Sequence, residues 1–380
     1  MSLGIYIQVP FCQTKCTYCN FHTGVVSRDR YAPYADALCR EIVDFGGTDT
    51  LVCAEVDTVY FGGGTPSLLD SAALEKILSV LRAPFQFFAN PEITLEADPE
   101  TITPEKSSAW LSAGFNRVSL GVQSFNDREL QSSGRMHRRA DIFRAIDVLR
   151  AAGFANISMD LIAGLPHQSR ESWEAGVSEL LRLRPEHISI YMLEIDEGSR
   201  LGRESLAGGA RYSAQALPAD DAIADFYESS CASLAGAGYD HYEISNWALP
   251  GFRSRHNLKY WRREPYFGFG AGAHSFDGRT RSANVHDSAR YVAMIEQGIS
   301  PRDQFEILTP AQALEEELFL GLRQLEGIDL PRIERAYGVL LADRVAPLRS
   351  QGLVEFDGTR LRLSPARLAV SNEVFVSLLG

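Results

Sequence analysis

Six short β-branched or apolar runs, at residues 5–9, 58–61, 92–97, 117–122, 156–162 and 187–193, constrain this chain more than any other feature. Stretches with apolar residues at helical spacing, at 31–45, 72–81, 104–113, 140–152 and 170–183, lie between them. A helix between two strands carries the chain back across the sheet, so successive strands lie parallel. The pattern predicts an α/β fold, either a doubly wound sheet or a partial (β/α)6 barrel. In both arrangements chemistry collects at the carboxyl ends of the strands. The unusual residues fall there: three cysteines after the first run, "GGGTPS" after the second, then "EAD", "GVQSF" and "DLIAGLP" at the next three.

The first of these segments, "VPFCQTKCTYCNF" at 9–21, sets Cys12, Cys16 and Cys19 at C-x3-C-x2-C spacing. A structural zinc takes four protein ligands and disulfides take an even number, so a compact trio leaves one coordination position open. Thiolates are soft ligands, and three of them suit three irons of a [4Fe-4S] cube whose fourth iron stays free. Zinc with a further ligand such as His22 is the alternative on spacing alone. Cys39, Cys53 and Cys231 are scattered and read as small core hydrophobes in a reducing compartment. "YFGGGTPS", at 60–67, removes side chains from three consecutive positions, which lets backbone groups approach a ligand or simply makes a tight turn.

Bulk properties exclude some functions. Lys plus Arg number 37 against 49 Asp plus Glu in 380 residues, a formal charge of -12, which argues against an extended nucleic-acid interface. The basic run from Arg135 to Arg139 can still hold one anion or start a solvated helix. The composition is that of a soluble globular protein, and no apolar run is long enough to span a bilayer. The start has no basic, apolar leader, so a cytoplasmic location is expected.

Three regions are expected: a barrel at 1–240, a connecting region at 241–307 dense in aromatics, glycine and histidine, and a C-terminal domain at 308–380. The last reads as helices near 311–325, 330–337 and 342–351 followed by a hairpin, a winged-helix-like α+β pattern.

The cysteine trio followed by "GGGTP" resembles the radical S-adenosylmethionine (SAM) superfamily. Within it the chain is most similar to the group of oxygen-independent coproporphyrinogen III oxidases and HemW-type heme chaperones. Tyr6, the cysteines with Tyr18 before the last, Gly63, Gly64 and Thr65 of the glycine run, Glu96, Gln123, Arg135 and Asp160 carry the resemblance. It implies that SAM chelates the open iron through its amine and carboxylate. Arg135 would meet the carboxylate, Glu96 the ammonium, Gln123 and Asp160 the ribose, and Tyr18 the adenine. Taken singly, Glu96 and Asp160 read as helix caps, Gln123 as a polar strand end and Arg135 as a surface charge. The family's Tyr-x-His in the first strand is Tyr6-Ile7-Gln8 here, which removes a proton-carrying group.

Whether such a chain is an enzyme or a carrier turns on three features. Oxidases of the group have a fourth cysteine two positions after the third, where Phe21 stands, and a segment ahead of the first strand. "HNLKYW", at 256–261, matches a HemW-type signature and offers His256 for heme iron with Tyr260 and Trp261 for the porphyrin faces; a structural turn is its plain alternative. His274, in "GFGAGAHSF", is a weaker ligand candidate. The resemblance thus implies a carrier of heme to respiratory hemoproteins, holding a [4Fe-4S] cluster, SAM and heme. Radical decarboxylation of coproporphyrinogen III is the alternative, with heme breakdown ranked after it. Peripheral contact with the inner face of the membrane and a homodimer are left open.

Overall fold

The computed structural model describes residues 2–45 and 54–379. Cys53 lies outside the described residues. The six predicted βα units are present. Their strands are β1 (Ser2–Val9), β2 (Glu55–Gly63), β3 (Gln86–Ala97), β4 (Arg117–Gln123), β5 (Ile157–Ala163) and β6 (His187–Met192). The helices that follow include α1 (Tyr31–Phe45), α2 (Ser71–Leu81), α3 (Pro104–Ala113), α4 (Asp127–Ser132), α5 (Arg139–Ala152) and α6 (Arg170–Leu183).

Strands β1 to β6 pair in parallel in strict chain order. A doubly wound sheet reverses its order at a switch point. This one does not, and its two ends do not meet among the described residues, so the fold is an open, partial barrel. Residues 241–307 are part of the same sheet. After α7 (Arg200–Leu206) and α8 (Asp220–Gly236), β7 (Asp240–Glu243) and β8 (Asn246–Ala248) extend the β6 edge. Helix α9 (Arg255–Trp261) follows, and β9 (Tyr266–Phe269) then joins β1 in parallel on the opposite edge. Beyond it β10 (His274–Phe276), β11 (Thr280–Asn284), α10 (Ser288–Glu296) and β12 (Arg302–Ile307) complete a twelve-stranded sheet.

Alternation along the strands separates core from site. Ile5, Ile7 and Val9 of β1, Val59 and Phe61 of β2, Ile93 and Leu95 of β3, Val118 and Leu120 of β4, and Ile157 and Met159 of β5 pack in one cluster with the helix residues Leu38, Ile42, Leu74, Ile77, Trp110 and Leu149. Each such side chain contributes about 1.5–3 kcal/mol by leaving water. The intervening residues point the other way: Tyr6, Tyr60, Glu96, Arg117, Ser119, Asp160 and Ser189 face the inside. The interior is therefore lined by polar side chains.

The C-terminal part contains α11 (Pro310–Gly321), β13 (Ile328–Asp329), α12 (Leu330–Tyr337), α13 (Ala342–Ser350), β14 (Val354–Phe356), β15 (Arg360–Leu363) and α14 (Ser371–Leu379). The expected hairpin is β14–β15, and β13 adds a third strand in the order β13-β15-β14. Helix α11 stops at Gly321, short of the expected 325, because the chain turns there to bring Leu325 to the Tyr242 carbonyl (3.2 Å).

Candidate functional site

A cavity of about 610 Å³ opens at the carboxyl ends of the strands and runs down the polar interior. Cys12, Cys16, Cys19, Tyr18, Gly63, Gly64, Thr65, Glu96, Gln123, Arg135 and Asp160 all line it. Residues from five strands and their ends, and from the loop after α4, are thus brought together. Tyr6 and His256 are not in its wall.

The cysteine loop is tied to the barrel by backbone bonds. The Cys12 N–H donates to the Gly24 carbonyl (3.0 Å), that of Thr17 to Ser133 (3.0 Å), and the Cys19 N–H to Cys16 (3.3 Å). Among the described residues no three His, Cys, Asp or Glu side chains are drawn close enough to hold a bare ion, although the loop itself carries three thiols for a metal. Its chemistry fits one. Burial pushes the Cys12 thiol up to about 11, and a thiolate there requires a neighbouring positive charge, which a metal supplies. Arg135 already approaches Cys16 Sγ (3.7 Å).

The glycine run packs against this loop. The Gly64 N–H donates to the Val9 carbonyl (2.9 Å) and that of Thr65 to Phe11 (2.7 Å). A Cβ on Gly64 would sit 2.5 Å from the Phe11 oxygen, and one on Gly63, whose φ is +109°, would strike Gln8. The glycines are therefore required first by the approach of β2 to the chain leaving β1, a contact invisible in the local sequence. The Gly63 N–H, rather than being free, donates to Glu96 Oε2 (3.1 Å).

Glu96 is no helix cap. It accepts from the Tyr60 hydroxyl (2.8 Å) as well as from Gly63, and burial pushes its carboxyl up to about 7. Asp160 accepts from the Ser119 hydroxyl (3.3 Å), and burial again raises its pKa. Gln123 closes β4 with φ of +64°, a conformation uncommon for a side-chain-bearing residue, where the pairing with β5 shifts register. Arg135 is not a surface charge: it ion-pairs with Asp98 and donates to the Gly121 carbonyl (2.6 Å). Asp98 also accepts from the Thr65 hydroxyl (2.9 Å), linking three cavity segments.

Several wall residues escaped sequence reasoning. Asp98 is one. Arg117 is another: it is 1% exposed, lines the cavity, and has no hydrogen-bond partner for Nε or Nη1. A charged first residue in the apolar run "RVSLGV" was its signal. Arg323, Ser371 and Asn372 reach the cavity from the C-terminal part, and no local pattern announces them.

The expected heme ligand His256 lies outside the cavity wall. Helix α9 plugs the amino-terminal end of the barrel, opposite the cysteine loop. Glu92 accepts from the backbone N–H groups of Arg255 (3.1 Å) and His256 (3.0 Å), and Lys259 pairs with Asp57 (2.8 Å) and Glu264 (3.0 Å). His256 is 1% exposed, with Nδ1 2.8 Å from the Thr58 hydroxyl and Nε2 2.9 Å from the Tyr260 hydroxyl. Burial, with Lys259 and Arg117 nearby, pushes its pKa down to about 3, so the ring is neutral and fully engaged. These contacts fit the structural reading of "HNLKYW". Tyr6 packs on this plug, its ring stacked with those of Tyr60 (6.1 Å) and His256 (6.3 Å).

Comparison with known proteins places this geometry. Residues 6–179 match the model of the radical SAM superfamily and residues 308–367 that of the HemN C-terminal domain. The heme chaperone HemW of Bacillus subtilis is 35% identical over 99% of this chain and 98% of its own length. The chain belongs to the HemW family of radical SAM proteins. The family member from Lactococcus lactis, also a heme chaperone HemW, is 33% identical over 98% of this chain and 96% of its own. The solved coproporphyrinogen III oxidase HemN of Escherichia coli superposes with a TM-score of 0.83 at 26% identity, covering 99% of this chain and 89% of that one. Membership in the superfamily implies a [4Fe-4S] cluster and SAM, and the cavity provides acceptors, a cation and three thiols for them.

Proposed function

We propose that this protein is a heme carrier that binds a [4Fe-4S] cluster through Cys12, Cys16 and Cys19, takes SAM into the adjoining cavity, and passes heme to respiratory hemoproteins in the cytoplasm or at the inner face of the membrane. The observation that carries the reading is identity of 35% over nearly the full length of a heme chaperone, together with Phe21 where the oxidases have their fourth cysteine. The cluster, when bound, supplies an open iron for an amino-acid head. The chain's own residues do the rest. Glu96 in its ionised form accepts an ammonium, Arg135 offers its guanidinium to a carboxylate, and Gln123 and Asp160 meet hydroxyls. Arg117, buried without a partner for two of its nitrogens, gives the lower cavity a positive centre suited to an acidic group. Among the described residues no helix is long and apolar enough to cross a membrane.

Anaerobic purification followed by two assays tests the reading. Stoichiometric heme binding without turnover of coproporphyrinogen III is expected. Robust decarboxylation would establish the oxidase in its place.

A further inference from the structure

If heme is carried, its iron needs a ligand, and the eight histidines of this chain are not equally able to provide one. His137, His187 and His256 are fully buried; His137 bonds the Val122 carbonyl through Nε2 alone, whereas both ring nitrogens are bonded in His187, to Ser158 and Tyr242, and in His256, to Thr58 and Tyr260. His241 is half-buried, bonded to the Ile244 carbonyl (3.1 Å) and stacked on Trp247 (4.1 Å). His167 is half-buried. The three that remain, His22, His274 and His286, are exposed, and they converge on one place.

Topology brings them there. His22 lies in the loop that leaves β1 with the cysteines. Strand β9 runs parallel to β1, so the turn into β10, where His274 begins the strand, is at the same end of the sheet. Strand β11 is antiparallel to β10 and delivers His286 back to that end. The rings of His22 and His286 are 4.1 Å apart between centroids, and His274 is close enough that each of the other two lowers its pKa. Gly272, at φ +75°, makes room: a Cβ there would sit 3.1 Å from His286 Nδ1. The surroundings suit a porphyrin. Phe21 and Val25, on either side of His22, are 66% and 57% exposed, unusually open apolar side chains. The Lys15 ammonium, held on the carbonyls of Phe21 (3.3 Å) and Thr23 (3.4 Å), offers a cation for a propionate.

We propose that the axial heme-iron ligand of this protein is drawn from the imidazoles clustered at His22, His274 and His286, with Phe21 and Val25 against the porphyrin face. The site rests on the heme-carrier reading above and sharpens it, because it relocates the ligand from the sealed floor of the barrel to the open rim beside the cysteine loop. Heme iron takes one or two axial imidazoles, whereas a bare zinc takes three or four protein ligands together. An exposed site also fits a cargo that must leave: a ligand on the rim releases heme without unfolding anything, whereas His256 releases it only if the barrel floor opens.

The test uses untagged full-length protein, purified anaerobically with its cluster, and titrates hemin while recording the Soret band and the low-spin iron signal. The triple variant His22→Ala, His274→Ala and His286→Ala is expected to bind hemin roughly tenfold or more weakly, since even outer partners of a metal ligand are worth that much. The imidazole-ligated low-spin signal should disappear while the visible cluster absorbance stays. All three side chains are exposed, so folding should survive, and each single variant shows which imidazole dominates. If the wild type binds hemin and the triple variant binds it with the same affinity and spectrum, this site is wrong and the carrier reading stands. If the wild type takes up no hemin at all, the carrier reading fails and the site with it.

Discussion

Glu96 should make SAM binding depend on pH in a way few other residues would. Its carboxyl is pushed up to about 7 by burial, yet the role proposed for it, accepting the ligand's ammonium, requires the ionised form. A ligand that binds only that form has an apparent dissociation constant proportional to 1 + 10^(7 − pH), so affinity should rise about five- to sixfold between pH 6 and pH 7 and level off above, a change of ~1 kcal/mol. The ligand's own ammonium stays protonated through this window because an α-amino group titrates near about 8. The same shift has a stability consequence of fixed sign. Between the ordinary carboxyl range and about 7 the folded chain holds this proton more tightly than the unfolded chain, so its contribution to stability is lost as pH rises through that interval. Anaerobic calorimetry of SAM binding to the cluster-loaded protein from pH 5.5 to 7.5, beside Glu96→Gln, is the assay. The variant should bind weakly and with no slope. A flat wild-type profile, or a slope that persists in Glu96→Gln, would refute the assignment.

Replacing His256 by Ala strips partners from Thr58 and Tyr260 and empties space in the plug, so we expect a loss of about 2–5 kcal/mol in urea unfolding with hemin affinity unchanged; lost heme with unaltered stability would reverse that conclusion. Single Cys→Ala changes at positions 12, 16 and 19 should each abolish the broad visible iron-sulfur absorbance, whereas Cys39→Ala and Cys231→Ala should retain it. Arg135→Ala should weaken SAM binding by roughly 1.5–3 kcal/mol through loss of a charge-assisted bond, and calorimetry giving an unchanged affinity would remove Arg135 from the pocket.

Much of the barrel was legible because its strands and helices are locally consistent. Predicted helices at 31–45, 104–113 and 170–183 coincide with α1, α3 and α6, since amphipathic spacing and terminal signals such as Thr103 and Gly114 agree there. What a local pattern cannot carry is order: a doubly wound sheet and a barrel have the same βα alternation, and the choice resides in which strands pair. Strands β7 to β11 were missed for a different reason. They are three to five residues long, too short for a period to register. The cavity wall followed the rule that chemistry sits at strand ends, which marked the segments holding Glu96, Gln123 and Asp160, and the family resemblance then singled out those residues. The same rule gave no way to see that His256 belongs to the opposite end, because a residue arriving on a distant helix has no strand end to mark its position. Asp98 escaped because its importance lies in two partners, Thr65 and Arg135, 70 residues apart in the chain.

The floor formed by α9 also sets an order of events during synthesis. Asp57, Thr58 and Glu92 are made early, but the Lys259 ammonium, the His256 imidazole and the helix amides that satisfy them come roughly 165 to 200 residues later. Until then three polar groups at the bottom of the nascent barrel have only water, and strand β1 has an unpaired edge awaiting β9. Contacts of such separation are slow to form and leave an open sheet edge exposed to aggregation while they do. A growing chain of this kind depends on whatever shields that edge, and a fragment that stops at residue 240 should be prone to self-association even though it contains all six βα units.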